Sequence, residues 1–199
     1  VSPSQYFEQE PSVVSDEREV VLALPDLTLR LRTDRGVFSH GAVDAGTKYL
    51  LLEAPPPPAS GHLLDLGCGA GPIACALAAR SPAATVWAVD VNERALALTA
   101  ANARANGLGN VRAVRPGEVP GDVRFTGVWS NPPIRIGKAA LHELLTTWLA
   151  RLGPGAHALL VVQKHLGADS LVRWLAAEGW VATRLGSRQA YRLLDVAAP

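Results

Sequence analysis

The sequence is sparing in the features that mark special cases. It has two cysteines, Cys68 and Cys75, beside a glycine-rich stretch, too few for a disulfide framework or a four-ligand zinc site. They read as small reduced side chains of a cytoplasmic protein, and no metal is expected. No apolar run approaches the roughly 18 residues of a membrane span, so no membrane partner is expected either. The first residues, VSPSQYFEQEP, lack a basic start followed by an apolar core, the mark of a secretory signal. The chain opens on Val1 rather than methionine, as expected of a processed or trimmed product. Neither sign of charge dominates: 19 Lys and Arg face 18 Asp and Glu, a formal net charge of +1. Attraction to nucleic acid through bulk charge is therefore excluded, and any such contact must rest on a local patch.

What is present is a core. Hydrophobic residues make up 48% of the 199 positions and charged residues 19%, which suits one well-buried α/β domain and is too little chain for two large ones. Residues 1–16 read as a polar, proline-interrupted arm. In VVLALPDLTLRLRT, Val20, Leu22 and Leu24 alternate with outward residues, Pro25-Asp26 turns, and Leu27, Leu29 and Leu31 alternate again, as in a β-hairpin. Its outward Thr28, Arg30 and Arg32, with Arg35 just beyond, read either as the solvated face of an edge hairpin or as a phosphate contact. Residues 1–34 are thus an arm and hairpin, and 35–199 a single compact unit. A helix with Asp44 as its N-cap follows, then APPPPASG as a rigid connector.

From Gly61 the chain alternates strand and helix. Strands are expected at HLLDL, TVWAVD, VRAVR, FTGVWS, HALLVVQK, WVATRLG and AYRLLDV, and helices over 72–80, 92–106, 137–152 and 169–178. Pro72 suits a first helical turn; Asn92 caps the next helix and Gly107 ends it. Leu141, Leu144, Leu145, Trp148, Leu149 and Leu152 form an apolar stripe that Gly153-Pro154 is expected to stop. Such alternation calls for an α/β fold, a parallel sheet with helices on both faces.

The sharpest local signal is LLDLGCGAGPIA. A buried strand ends at Asp65-Leu66, a Gly-x-Gly-x-Gly turn follows (Gly67, Gly69, Gly71), and a helix begins. Glycines are needed where backbone turns tightly and a ligand approaches closer than a Cβ permits. The next strand ends in Asp90, whose carboxylate can accept from both hydroxyls of a ribose. Dinucleotide enzymes use the same device, but their turn is usually spaced Gly-x-Gly-x-x-Gly to face a pyrophosphate. Here the spacing differs, and the anionic Asp65 beside the turn would repel a pyrophosphate while suiting an ammonium. The fourth strand of the alternating series ends in SNPP.

DLGCGAG, VDVN and SNPP in this order resemble the class I S-adenosylmethionine-dependent methyltransferases, and SNPP narrows the likeness to the branch that methylates amino or amide nitrogens. The lead-in RGVFSHGAVDAGTKYLL is similar to the "methyltransferase small" family, which contains bacterial ribosomal RNA guanine-N2 methyltransferases. The resemblance runs from about Arg35 to Leu194. It implies a Rossmann-like sheet, mostly parallel and seven-stranded with an antiparallel last strand. It implies S-adenosyl-L-methionine as cofactor, with Asp65 and Gly67 near its methionine and ribose end and Cys68, Gly69 and Gly71 completing the turn. Asp90 would hold the ribose hydroxyls, Val91 and Asn92 would lie beside the adenine, and Glu118 would approach the adenine amine. Gly46 and Thr47 would close over the methionine carboxylate.

SNPP has its own chemistry. An exocyclic amine on a nucleobase is a poor nucleophile because its lone pair is delocalised into the ring. The Asn131 side-chain oxygen and the Pro132 carbonyl can accept its protons, localising the lone pair, while Pro133 stiffens the turn. Asn131 also borders the cofactor. The family usually has an aromatic next, to stack on the target base; here stand Ile134 and then Arg135, whose guanidinium can stack or pair with phosphate. Lys164 and His165, after the fifth strand, can meet phosphates, and Phe38 is either the missing aromatic wall or core. The favoured reading is methylation of the guanine exocyclic amine in ribosomal RNA, free or in a ribosomal subunit, over a basic rim of Arg30, Arg32, Arg35, Arg135, Lys138 and Lys164. RNA as substrate predicts activity that falls steeply with salt. A small molecule or protein amide as substrate predicts a flat response, and a non-catalytic cofactor-binding module predicts indifference to loss of Asn131.

Overall fold

A computed structural model describes residues 13–198; the expected N-terminal arm lies mostly outside the described residues. A two-stranded antiparallel hairpin, β1 (Arg18–Ala23) and β2 (Thr28–Thr33), precedes helix α1 (Ala45–Glu53). Then come β3 (Ser60–Leu66), α2 (Pro72–Arg80), β4 (Ala83–Val89), α3 (Glu93–Ala105), β5 (Val111–Val114) and β6 (Phe125–Ser130). The chain ends with α4 (Lys138–Leu149), β7 (Leu152–Gln163), α5 (Ala168–Ala177), β8 (Val181–Arg188) and β9 (Tyr191–Ala197). The second sheet has seven strands in the order β5-β4-β3-β6-β7-β9-β8. Strands β3 to β7 run parallel, and β9 is antiparallel to both its neighbours.

Period-two alternation divides the core into two layers. Leu63, Val86, Ala88, Leu159, Val161 and Leu193 face one side of the sheet, with α1, α2 and the hairpin leucines. Leu64, Val89, Leu160, Val162, Leu194 and Val196 face the other, with α4 and α5. The expected helices match within a residue or two except the third. That helix stops at Leu149, and Leu152 already belongs to β7, which runs on past Gly153-Pro154. The pairing of β6 with β7 jumps from Leu152 opposite Phe125 to His157 opposite Gly127. Pro154 therefore sits in a stretch looped out of the ladder, where its missing N–H costs no hydrogen bond.

The hairpin is sewn to the sheet domain by asparagines on one face of α3. Asn102 accepts from the Arg32 backbone N–H at 2.7 Å and donates to the Arg32 carbonyl at 2.9 Å and the Ala70 carbonyl at 2.8 Å. Asn106, one turn on, repeats the pattern at Arg30. The two carboxamides occupy the open edge of β2 as another strand would. The outward arginines form the solvated face of the hairpin, the first of the two readings above, and its charge is balanced. Arg30 pairs with Glu19, Arg32 with Glu17 and Arg35 with Asp16, because Glu19 on the outward side of β1 and the acids just before the strand lie alongside. No helix among the described residues is long and apolar enough to cross a membrane.

Asn102 is 1% exposed, so Asn102→Ala strands the amide and carbonyl of Arg32 and the Ala70 carbonyl. A loss of about 3 kcal/mol in unfolding free energy is expected, measurable by urea denaturation. A change under about 0.5 kcal/mol, the usual surface value, would show that the hairpin is held by its leucines alone.

Candidate active site

The site lies at the carboxyl ends of β3, β4, β6 and β7, where strand order reverses on either side of β3, the usual ligand position in open α/β sheets. The turn after β3 is held by backbone. The N–H groups of Gly67 and Cys68 donate to the Val89 carbonyl at 2.8 and 3.1 Å, and that of Gly69 to Asp90 Oδ2 at 2.9 Å. Asp90 Oδ1 accepts from Asn92 N–H at 3.0 Å. Gly71, at φ 80°, takes a left-handed conformation, and a Cβ there would lie 2.7 Å from Thr99 Oγ1, so position and space both demand glycine. Asn92 caps α3 through Ala95 N–H and donates to the Gly36 carbonyl at 2.8 Å, which ties down the loop that roofs the turn. Val37 in that loop clusters with Ala70, Ala95 and Leu98.

Beneath this roof is a cavity of about 440 Å³. Gly67, Gly69, Asp90, Val91, Asn92 and Pro116 form one wall; Asn131, Pro132, Pro133, Ile134, Leu144 and Gln163 form the other. A narrow recess of about 30 Å³ adjoins it toward the hairpin, lined by Asp44, Thr47, Cys68 and the same Gly67, Gly69 and Asn131. Phe38 lines both and is 51% exposed, so it stands at the mouth and is not core.

Asn131 is anchored on its amide nitrogen. Nδ2 donates to Asp44 Oδ2 at 2.8 Å and to Thr47 Oγ1 at 3.1 Å. The Pro132 carbonyl accepts from Ile134 N–H at 2.8 Å, which fixes its direction and leaves one lone pair. Ser130 Oγ donates to the Leu66 carbonyl at 2.6 Å, locking the end of β6 against that of β3.

Other expected residues lie elsewhere. Asp65 is fully buried below the turn, on the α2 side of the sheet, and reaches neither cavity; Oδ2 accepts from Ala74 N–H at 2.8 Å and Oδ1 has no partner. Glu118 turns back to accept from Arg115 N–H at 2.7 Å, so Pro116 lines the wall in its place. Lys164 Nζ donates to the Gln189 carbonyl at 2.6 Å. His165 is exposed and off the lining, where Gln163 stands instead. Gly46 packs against Tyr191: a Cβ would lie 2.5 Å from the ring. The side chain of Arg135 is outside the described residues. Pro116, Leu144, Gln163, Asp44 and Tyr191 complete the site and were not expected in it; of these only Asp44 (as a helix cap) and Leu144 (as core) carried a local signal. Among the described residues no cluster of three His, Cys, Asp or Glu side chains could hold a metal.

The family model described as the methyltransferase small domain matches residues 28–189. The chain belongs to this family. It is 34% identical over 173 residues to the uncharacterized protein YbxB of Bacillus subtilis, covering 85% of this chain and 86% of that one. It is 34% identical over 169 residues to ribosomal RNA small subunit methyltransferase C of Pseudomonas aeruginosa, covering 82% of this chain and 50% of that one. The solved T. thermophilus 16S rRNA N2 G1207 methyltransferase (RsmC), in complex with AdoMet and guanosine, superposes with a TM-score of 0.79 at 24% identity, over 95% of this chain and 52% of that one. At that identity the likeness is one of fold. The chain spans about half the length of these ribosomal RNA methyltransferases.

Membership makes this domain an S-adenosylmethionine-dependent methyltransferase, and the site suits that cofactor. The positive-φ glycines Gly67 and Gly69 put no side chain between their backbone and the cavity, with a Cβ at Gly67 falling into the gap before Pro133. Asp90 offers a carboxylate for hydroxyls, and Val91, 41% exposed, offers an apolar face beside Pro116 for a flat base.

Burial pushes the Asp65 carboxyl up to about 8 from its ordinary value of 3.8. The native chain then holds a proton that the unfolded chain has released, so stability is full below about pH 4 for this group and is lost as pH rises toward about 8. Asp65→Asn keeps an acceptor for Ala74 N–H and does not ionise. Thermal melts across that range should fall with pH less steeply in the variant; parallel slopes would clear Asp65 of the effect.

Proposed function

We propose that this domain transfers a methyl group from S-adenosylmethionine to the exocyclic N2 amine of guanine in small-subunit ribosomal RNA. The observation that carries the reading is Asn131. Its amide nitrogen is spent on Asp44 and Thr47, so its oxygen remains as a free acceptor in the cavity that the glycine turn also lines. The names of the ribosomal RNA relatives, and the guanosine bound to the solved one, support the choice of base.

S-adenosylmethionine, when bound, supplies an electrophilic methyl group on a sulfonium sulfur. Asp90, with Val91 and Asn92, would hold the adenosine end, and Gly67 and Gly69 would admit the cofactor close to the backbone. Asp65 acts from below, holding the first turn of α2 through Ala74. Asn131 Oδ1 and the remaining lone pair of the Pro132 carbonyl accept hydrogen bonds from the two amine N–H groups. This rehybridises the nitrogen toward a localised lone pair and supports positive charge on it until one proton passes to water. No strong base is required, and the acceptors are fixed before substrate arrives.

The base is held without the usual aromatic after the second proline. Ile134 gives one apolar wall, and Phe38, projecting from the roof loop at the mouth, gives the aromatic one. With Arg30, Arg32 and Arg35 already paired to acids, RNA contacts fall to other basic groups, the exposed Lys138 among them. The RNA is met in the cytoplasm, free or within the small ribosomal subunit.

Labelled methyl transfer to small-subunit RNA, assembled subunits, transfer RNA and protein, with nucleoside analysis, tests the reading. Label in N2-methylguanosine of small-subunit RNA is expected; label in protein, or in none of the pools, overturns it. Asn131→Ala should cut turnover about a hundredfold to a thousandfold, the scale of losing one preorganised polar contact to developing charge. Cofactor affinity by calorimetry should stay nearly unchanged. Equal losses in both would recast Asn131 as a cofactor ligand only.

A further inference from the structure

A carboxamide works in one orientation only. Turned by 180°, Asn131 would present its NH₂ group to the substrate amine, donor against donor, and the acceptor would be wasted on α1. Something must decide between the two. We propose that Asp44, steadied by Tyr191, is the positioning residue that holds Asn131 with its oxygen toward the substrate; the idea rests on the amine-methylation reading above.

A carboxylate only accepts, so the atom of Asn131 at 2.8 Å from Asp44 Oδ2 must be Nδ2. The same Oδ2 caps α1 by accepting from Thr47 N–H at 3.0 Å. Asp44 Oδ1 accepts from the Tyr191 hydroxyl at 3.2 Å, and that hydroxyl accepts in turn from Gln163 Nε2 at 3.3 Å. Every donor in the chain therefore points toward Asp44: Gln163 to Tyr191 to Asp44 from one side, and Asn131 to Asp44 from the other. Drawing hydrogen-bond density from Nδ2 also enriches the amide oxygen, since linked hydrogen bonds polarise one another.

The parts come from four places: the loop before α1, the end of β6, the end of β7 and the start of β9. Tyr191 and Gln163 sit opposite each other in the β7–β9 register, which aims the tyrosine across the sheet edge at the helix start. Gly46 is what lets it arrive. Any side chain there would meet the Tyr191 ring at 2.5 Å and Asp44 Oδ2 at 2.9 Å. A glycine next to the cap, which weakens a helix, is thus explained by the approach of the tyrosine.

Asp44→Asn is the informative change. Asparagine caps a helix as well as aspartate does, but it has one accepting atom where Asp44 uses two. With its oxygen toward Tyr191 it turns an NH₂ on Asn131, donor against donor; with its oxygen toward Asn131 it holds Nδ2 by a neutral acceptor only and loses the Tyr191 donation. Turnover on the RNA substrate should fall about tenfold to a hundredfold, less than for loss of Asn131 itself, with cofactor affinity and melting temperature close to wild type. Tyr191→Phe should give a smaller loss in the same direction. In the Asn131→Ala background Asp44→Asn should cost almost nothing more, a non-additivity that a merely structural role would not produce.

A second readout needs no substrate. The side-chain NH₂ resonances of Asn131, identified by their absence in Asn131→Ala, should lie downfield and exchange slowly in the wild type, and lose both properties in Asp44→Asn. Unchanged resonances, or additive losses of turnover, overturn the proposal. If the resonances respond but no RNA accepts methyl from the wild-type protein, the positioning pair stands and the guanine reading falls.

Discussion

The backbone amides of Gly67, Cys68 and Gly69 donate across to the end of β4, to the Val89 carbonyl and the Asp90 carboxylate. The rest of the site depends on this stitching. In a parallel sheet the carboxyl ends of the central strands run out of ladder partners, and a loop leaving there must satisfy its own polar groups. Here the turn does so against the neighbouring strand. It thereby orients Asp90, opens a bare backbone surface and starts α2 at Pro72. The left-handed glycines are the consequence of that geometry, and Thr99, packed against Gly71, leaves no room for an alternative.

Around the turn, side-chain carboxamides do work that backbone ladders do elsewhere. Asn92 holds the roof loop, Asn102 and Asn106 hold the hairpin edge, and Asn131 joins the end of β6 to the start of α1. A carboxamide both donates and accepts, so it can bridge irregular backbone without introducing charge into a half-buried region. Many of the charged groups, by contrast, are paired with each other at the surface. Arg30, Arg32 and Arg35 meet Glu19, Glu17 and Asp16 in exposed pairs, which add little stability but cancel the local field that the arginines would otherwise project. A net charge of +1 is reached by interleaving the two signs.

Much of the architecture was legible because it is written in local periodicity. The strand at Leu63–Leu66 alternates between two cores, the glycine turn follows at once, and Asn92 and Gly107 bracket α3. Where reading failed, a non-local pairing had overridden a local signal. Gly153-Pro154 looks like a helix stop, yet the helix had already ended and the two residues ride in a looped-out stretch of β7, because β6 sets the register on either side. Lys164 is taken by the Gln189 carbonyl, which pairing of β7 with β9 brings alongside. Glu118 is the exception, lost to a local contact: the Arg115 N–H, three residues back, takes its carboxylate in a capping box.

By itself the sequence determined the strand and helix order, the glycine turn, the acid at the end of β4 and the asparagine at the end of β6, since each follows from conformational preference or from a spacing of a few residues. Tertiary structure alone decided which way Asn131 faces, that Asp65 lies buried and short of the cavity, and that Phe38 stands at the mouth. It also decided that Gln163, Leu144 and Pro116 line the wall. The physical reason is that hydrogen bonds and burial act between atoms near in space. Asp44 and Tyr191, 147 positions apart in the chain, are hydrogen-bonded only because β9 returns beside β7.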